Sequence, residues 1–267
     1  MIGTTEMGVR RFGRVNWLGM ATLARREVMR FLTVWSQTLL APLITAGLFL
    51  AVFALAIGPT RGEVMGQPFV KFLAPGILMM TVIQNAFANT SSSIVIAKVQ
   101  GNIVDTLMPP LSPLEMVLGY VAGAIGRGLF VGIAIWTASA LSLGVGLAHP
   151  LWALMVLVLG ATLLGGLGMV AAVFADKFDQ MAAITNFIIT PLAFLSGTFY
   201  SVETLPKVMR DLTHWNPVFY LIDGMRYGIL GVSDAPPLQG LVICLGVTLA
   251  VLSLCWLWFK RGYRMKP

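Results

Sequence analysis

Long stretches without a charged side chain recur along this sequence. They cover residues 31–60, 72–97, 128–175, 180–202 and 235–259. A helix needs roughly 20 mostly apolar residues to cross a hydrocarbon layer about 30 Å thick, so each window can hold one span and the longest can hold more than one. Cut at turn residues, these windows predict six transmembrane helices, at about 38–57, 70–92, 116–143, 151–174, 182–199 and 238–259. The pattern predicts an all-α integral membrane protein.

Lys and Arg are unevenly distributed over the connections between these spans. If both termini are cytoplasmic, the inside segments hold twelve Lys and Arg and the outside segments hold five. An excess of Lys and Arg marks the cytoplasmic side, so we predict that both termini are cytoplasmic. The predicted organisation is a cytoplasmic N-terminus with an interfacial helix (1–37), a transmembrane domain (38–259) and a basic cytoplasmic tail (260–267).

The composition agrees with this assignment. Hydrophobic residues make up 57% of the 267 residues and charged residues only 11%, against about 25% charged in soluble domains. The net charge of +7 is concentrated near the two ends of the chain. Basic residues that flank apolar spans set topology, so we predict no nucleic-acid partner.

The segment 15–36 has a helical pattern of its own. One apolar stripe is formed by Trp17, Met20, Ala24, Val28, Phe31 and Trp35. Arg26 and Arg30 lie opposite that stripe, and Arg25 and Glu27 belong to the same charged group. The pattern predicts an amphipathic helix that lies among the inner lipid headgroups. The alternative is a plain basic flank to the first span.

The loop 97–115, predicted to be cytoplasmic, contains a short apolar helix. Its apolar side consists of Ile103, Val104, Leu107 and Met108, and Pro109-Pro110 ends it, because proline lacks the N–H and clashes with the preceding turn. A short helix with apolar side chains on the cytoplasmic side is suited to docking on a partner protein. The alternative is a helix that packs against its own spans or the lipid.

The segment 200–237 is too polar for a span and too apolar for a free loop. Leu205, Val208, Met209 and Leu212 form one helical face. Asn216-Pro217 predicts an N-cap followed by a first-turn proline, which starts a second helix over 217–231. We predict two short helices in the outer leaflet.

Arg127 lies within the third predicted span. A cation in the hydrocarbon layer costs about 2.5–3.5 kcal/mol or more. It therefore either pairs with an acid across a helix interface, with Asp179 or Asp223 as candidates, or extends toward the inner headgroups. Gly119, Gly123, Gly128 and Gly132 on the same helix predict close helix packing.

The sequence lacks the usual motifs of catalytic, nucleotide-binding and metal-binding sites. It contains no phosphate-binding G-x-x-x-x-G-K-[ST] loop, and its two histidines and two cysteines show no metal-ligand spacing. No arrangement for nucleophilic catalysis is evident. We therefore predict no catalytic, cofactor or metal site, and an energy source in another subunit if the protein pumps.

Two motifs in this order resemble a known family. The predicted cytoplasmic loop carries Gly101, Asp105, Leu107, Pro109 and Ser112, in a G-x-x-x-[DE]-x-L-x-x-P-L-S pattern with one extra proline, Pro110. The outward segment carries Asn216, Pro217, Tyr220, Asp223 and Arg226, as N-P-x-x-Y-x-x-D-x-x-R. The chain thus resembles the permease subunit of bacterial type-2 ABC exporters for drugs, lipo-oligosaccharides and polysaccharides.

The resemblance implies a division of labour. A separate ABC ATPase would bind ATP and Mg and receive the coupling residues, which are Gly101, Ile103, Val104, Asp105, Leu107, Met108, Pro109 and Ser112. A second permease copy, identical or related, would complete the path in the bacterial inner membrane. The outward motif would form an outer gate, and an amphipathic, drug-like or glycolipid cargo would move outward. The alternatives are a stand-alone channel, an ion-coupled carrier or a membrane-embedded enzyme.

Overall fold

The structure, a computed structural model, describes residues 15–263, and helices dominate it. Five of these helices are long and apolar enough to cross a membrane: Ser36–Ala56, Phe69–Val99, Pro113–Leu143, Pro150–Phe174 and Pro237–Arg261. They match five of the six predicted spans, and the second and third extend further on the predicted cytoplasmic side. At 31 residues each, these two are about 46 Å long and exceed a hydrocarbon layer of about 30 Å.

The helices are numbered in chain order, and two very short strands form a hairpin between the first two predicted spans. The order is α1 (Trp17–Thr33), α2 (Ala41–Ala56), α3 (Gly58–Arg61), β1 (Glu63–Val64), β2 (Gln67–Pro68), α4 (Phe69–Val99), α5 (Ile103–Leu107), α6 (Pro113–Leu143), α7 (Pro150–Phe174), α8 (Phe178–Ile184), α9 (Thr190–Phe194), α10 (Lys207–His214), α11 (Pro217–Leu230) and α12 (Pro237–Arg261).

The predicted fifth span, 182–199, takes a different form. A π-helical turn, Thr185–Ile189, joins α8 to α9, and the three pieces together cover 178–194. A second π turn, Ser36–Leu40, precedes α2. Each π turn ends two residues before a proline, Pro42 and Pro191. Because proline has no N–H to donate, the helix must change its hydrogen bonding just before it.

The centre of the molecule is the packing of α4 against α7. Most of each helix is buried, and small residues permit the close approach. A Cβ at Gly168 would lie 2.5 Å from the carbonyl oxygen of Phe87. The hydroxyl of Thr90 donates a hydrogen bond of 2.7 Å to the carbonyl of Gly165. These contacts hold the two helices together without a charged pair.

Helix α1 packs lengthwise against the first half of α6. A Cβ at Gly119 would meet Leu23, and one at Gly123 would meet Glu27. A step of four residues along α6, from Gly119 to Gly123, corresponds to a step of four residues in the same direction along α1, from Leu23 to Glu27. Helix α1 therefore runs parallel to this half of α6. The predicted close packing of the α6 glycines is therefore confirmed on this face. Whether α1 lies among lipid headgroups stays a prediction.

The region between α9 and α12 contains the two predicted short helices. Helix α11 covers nearly the predicted residues and is largely buried, while α10 has an exposed apolar face. That face contains three of the four predicted residues, Val208, Met209 and Leu212. The fourth, Leu205, lies before α10 and packs against the core. An exposed apolar face on a short helix is compatible with the outer leaflet, and that location stays a prediction.

Candidate functional site

The loop after α4 folds into the predicted short helix, α5. Gly101 has φ +73° and lets the chain turn directly after α4, a conformation that favours glycine. Five residues then form α5, and Pro109 and Pro110 follow it. The sequence therefore predicted both the presence and the end of this helix correctly.

The predicted apolar side of α5 is divided in the structure. Val104 and Met108 are 45% and 76% exposed, whereas Ile103 is buried and Leu107 packs against the core. The alternative interpretation, packing against the protein's own spans, therefore holds for Ile103 and Leu107, and only Val104 and Met108 are left free for docking. Ile103 and Leu107 anchor α5 to the spans, and Asp105, which is also exposed, joins Val104 and Met108 on the open surface.

Arg26 connects α5 to α1. Its Nη1 donates a hydrogen bond of 3.0 Å to the hydroxyl of Thr106, which is buried in α5. Its Nη2 lies 3.0 Å from the carboxylate of Glu27 and 3.4 Å from the hydroxyl of Tyr120 on α6. One guanidinium thus touches α1, α5 and α6, so a displacement of α5 acts directly on the other two helices.

A capping box connects the end of the same loop to the start of α1. The Ser112 hydroxyl accepts from the backbone N–H of Glu115, and Glu115 accepts from the backbone N–H of Ser112 at 2.7 Å. The other carboxylate oxygen of Glu115 accepts from the N–H of Asn16 at 2.8 Å. The Asn16 side chain in turn donates to the carbonyl of Pro110. Loop 97–115 is therefore fastened to α1 at α5, through Thr106, and again near its C-terminal end.

Glu115 and Asn16 were not among the predicted site residues. The S-x-x-E spacing of Ser112 and Glu115 is a capping-box signal in the sequence. No comparable signal shows that the second carboxylate oxygen reaches Asn16.

A cleft of about 380 Å³ separates the first turns of α1 from α5 and its prolines, and it is lined in part by Arg26, Asp105 and Thr106.

Three charged residues of α1 bond to side chains or carbonyls within the protein, and Glu27 is at the centre of these contacts. Glu27 has no exposed surface and accepts from the Ser93 hydroxyl at 2.7 Å and from Arg30 at 3.3 Å. Arg30 also donates to the carbonyl of Asn89 at 2.6 Å. Arg30 is thus engaged by α4, and Arg26 by α5 and α6, although the Arg26 side chain is still 46% exposed. That these arginines also face lipid headgroups stays a prediction. Arg25 is exposed.

The motif that the sequence predicts on the outer side folds into a buried ion cluster. Arg226 has no exposed side-chain surface, and its Nη1 lies 3.3 Å from Asp223 and 3.5 Å from Asp234. Its Nη2 donates to the carbonyl of Gly197 at 2.8 Å, and its guanidinium lies 4.1 Å from the ring centre of Phe72. This cluster joins α11 to α4, to the turn after α9 and to the segment before α12.

Both carboxylates of this cluster also accept backbone N–H groups. Asp223 accepts from Asp234 and Ala235, and Asp234 accepts from Val202. Burial raises the pKa of Asp223, and the attraction of Arg226 and the two backbone N–H groups opposes that rise. Sequence reasoning missed Asp234, although it directly precedes the long charge-free window of the last span.

The other predicted outer residues are structural contacts. The Asn216 side chain accepts from the N–H of Val218 at 3.0 Å, which confirms the predicted N-cap, and donates to the Ser196 hydroxyl at 2.7 Å. Pro217 opens α11, and Tyr220 is buried. None of these contacts tests the predicted role as a gate.

Arg127 has neither of the acidic partners predicted for it. Asp223 pairs with Arg226, and no ion pair joins Arg127 to Asp179 within residues 15–263. Instead, Nε of Arg127 donates to the side-chain oxygen of Asn85 at 3.1 Å. The prediction of an acid across a helix interface is wrong, and the partner is an amide on α4.

Comparison with known proteins places this arrangement in a family. The sequence profile of the ABC-2 type transporter family matches residues 19–230, which include α1, α5 and α11. The chain belongs to the ABC-2 type transporter family. It is 37% identical over 246 residues to the inner membrane transport permease YadH of Escherichia coli K12, covering 92% of this chain and 96% of that protein.

A second group of relatives is more distant. Nodulation protein J of Sinorhizobium fredii is 27% identical over 242 residues, covering 90% of this chain and 87% of that protein, and nodulation protein J of Rhizobium leguminosarum bv. viciae is 25% identical over 240 residues, covering 88% of each. The family and the apolar helices together make this chain a multi-pass permease of the inner membrane. The YadH protein is named as a transport permease.

Proposed function

We propose that this ABC-2 permease is the membrane subunit of an exporter driven by a separate ABC ATPase. The ATPase binds ATP and Mg, and the permease carries no catalytic residue of its own. The cargo is an amphipathic, drug-like, glycolipid or oligosaccharide molecule that moves outward. Family membership supports the ATPase partner in general terms, and the apolar spans of the described chain suit a cargo with a large apolar part.

The observation that carries this proposal is the attachment of α5. Val104, Asp105 and Met108 are exposed on it, whereas Ile103 and Thr106 are buried beneath them. An exposed apolar pair on a rigid support is typical of a docking surface. Because Thr106 bonds to Arg26, a push on α5 is passed to α1 and, through Glu27, to α4.

The proposed architecture has six spans with both termini inside. In it, 178–194 is the fifth span, at the short end of the lengths that cross a bilayer. Two permease copies face each other around the path. Helix α2 supports this arrangement, because only 6% of its most apolar window is buried within one copy, and lipid or a second copy must cover the remainder. The helices α10 and α11 form the outer gate.

The docking role of α5 is tested by copurification. We expect Met108→Asp to release the ATPase from the tagged permease, because a carboxylate there places an unpaired charge in an apolar interface. Met209→Asp is the matched control, since Met209 is also exposed but lies on α10. It should retain the ATPase. If both variants fold and both keep the ATPase, α5 is not the docking element.

The stand-alone alternatives give a different result in vesicles. Permease reconstituted with its ATPase should move cargo only when ATP is supplied. Permease alone should show no accumulation against a gradient, with or without an ion gradient. Uphill transport by the permease alone would favour an ion-coupled carrier instead.

A further inference from the structure

Arg127 is a cation within a membrane-crossing helix that lacks a counter-ion. Its single hydrogen bond among residues 15–263 joins Nε to Asn85. Its Nη1 and Nη2 groups have no acceptor in that part of the chain. The charged side chain near enough to interact electrostatically with Arg127 is that of Arg30, and this interaction is repulsive because both are cations. A guanidinium in this position is costly unless an anion approaches its free end.

The surroundings of Arg127 contain more hydrogen-bond donors than acceptors. Nε of Arg30 and Nδ2 of Asn89 are enclosed, and they also lack an acceptor in the part of the chain that the structure describes. The buried acid of this cluster, Glu27, is already occupied by Arg26, Arg30 and Ser93. Arg26 and Arg30 therefore share this carboxylate, and Arg127 pairs with no acid within residues 15–263. The positive charges and N–H groups thus outnumber the acceptors here, which calls for an anion from outside the chain.

The free end of Arg127 is held in a defined orientation. Asn85 is buried, and its amide donates to the carbonyl of Thr81 at 3.0 Å, which fixes its oxygen toward Nε of Arg127. With Nε held, the two Nη groups form the fork that binds a phosphate through two parallel hydrogen bonds. Asn85 is thus a positioning residue for this fork.

The position of Arg127 along α6 matches the depth of a lipid phosphate. Sixteen residues separate it from Leu143, the last residue of α6, which is about 24 Å along the helix axis. If the outer end of α6 lies at the outer edge of a hydrocarbon layer about 30 Å thick, Arg127 lies close to the inner edge, within reach of the headgroups. Phe130, one turn further along α6, contacts Phe31 and provides an apolar surface for the adjoining acyl chain.

We propose that Arg127 binds the phosphate of an anionic phospholipid where α1, α4 and α6 meet. The assignment to the inner leaflet rests on the proposed topology. Binding itself requires neither the ATPase nor the cargo, so this proposal and the proposed function fail separately. A lipid bound here would neutralise Arg127 and contact both helices that converge on Glu27.

The test compares lipid binding by purified permease variants. In detergent, phosphatidylglycerol should raise the melting temperature of the wild type, whereas phosphatidylcholine should not. For Arg127→Gln, we expect the affinity for phosphatidylglycerol to fall roughly tenfold or more, the effect of losing charged hydrogen bonds. Arg25→Gln removes the same charge from an exposed position of α1, and its affinity should match the wild type.

Two further measurements make the result decisive. Inorganic phosphate should not displace phosphatidylglycerol at millimolar concentration; if it does so completely, the site takes free phosphate and the lipid proposal is overturned. Equal lipid affinity in Arg127→Gln and the wild type also overturns it. Should Arg127→Gln not fold, Arg127→Lys keeps the charge and loses the fork, and unchanged affinity in that variant is equally contradictory.

Discussion

Glu27 is a carboxylate without exposed surface on a helix whose other charged residues include three arginines. It accepts hydrogen bonds from Arg26, Arg30 and Ser93. Removing one partner of a buried ion pair typically costs about 3–5 kcal/mol, because the opposite charge is left without compensation. At the scale of single residues, Glu27 is therefore the point at which α1 is most firmly attached to α4.

We expect Glu27→Gln to lower the melting temperature of the purified permease, with a loss of about 3 kcal/mol in the free energy of unfolding. The amide keeps the shape of the side chain, but its NH₂ group opposes the arginine donors. Glu203→Gln is the matched control, because Glu203 is exposed, and it should leave the melting temperature unchanged. Equal melting temperatures for both variants and the wild type would contradict the assigned role of Glu27.

Individual residues were only partly predictable from the sequence. Asn216 was recognisable as an N-cap because Asn followed by Pro at a helix start is a local signal. Asp234 was not recognisable, because its contact with Arg226 depends on how α11 folds back on α12. The same reason explains the wrong acids proposed for Arg127. Contacts between residues close in sequence, such as helix caps, can be predicted from the sequence. Contacts between distant residues depend on how the helices pack, so they cannot.

At the scale of helices, the α1–α6 contact depends on glycine. A Cβ at Gly123 would lie under 3.0 Å from the Cβ of Glu27, which real structures do not tolerate without a shift. We expect Gly123→Ala to destabilise the protein by about 1–3 kcal/mol through overpacking. Gly47→Ala is the control, since a Cβ at Gly47 meets nothing within 4 Å.

The melting temperatures of the two alanine variants and the wild type are compared in one detergent. Gly47→Ala should be neutral, whereas Gly123→Ala should unfold at a lower temperature. If the two alanine variants unfold at the same temperature, the close approach of α1 and α6 does not contribute to stability. Crosslinking between cysteines introduced at Leu23 and Gly119, whose Cβ positions are adjacent, would then show whether the helices still meet.

Helix positions were predicted better than helix shapes. Five spans could be read from charge-free windows because the bilayer imposes a length and a composition. Two features of the helices could not be predicted from these windows. The extensions of α4 and α6 on the predicted cytoplasmic side carry mixed residues that a hydropathy window truncates. The π turns before Pro42 and Pro191 reflect hydrogen bonding that apolar periodicity does not encode.

At the scale of the whole molecule, the segment 178–194 determines whether the chain crosses the membrane five or six times. Its three helical pieces are together shorter than the other spans. Lys177 and Glu203 flank it, and both are exposed. If the segment crosses the membrane, these two residues lie on opposite sides; if it does not, they lie on the same side.

Labelling with a membrane-impermeant maleimide separates these cases. The native thiols, Cys244 and Cys255, are buried, so the background is low. We expect Lys177→Cys to react only from the cytoplasmic side and Glu203→Cys only from the outside. Met108→Cys and Glu63→Cys serve as references, because both parent residues are exposed and flank the long span α4. Reaction of Lys177→Cys and Glu203→Cys from one common side would reduce the span count to five and place the two termini on opposite sides of the membrane, which would remove the charge argument for a cytoplasmic C-terminus.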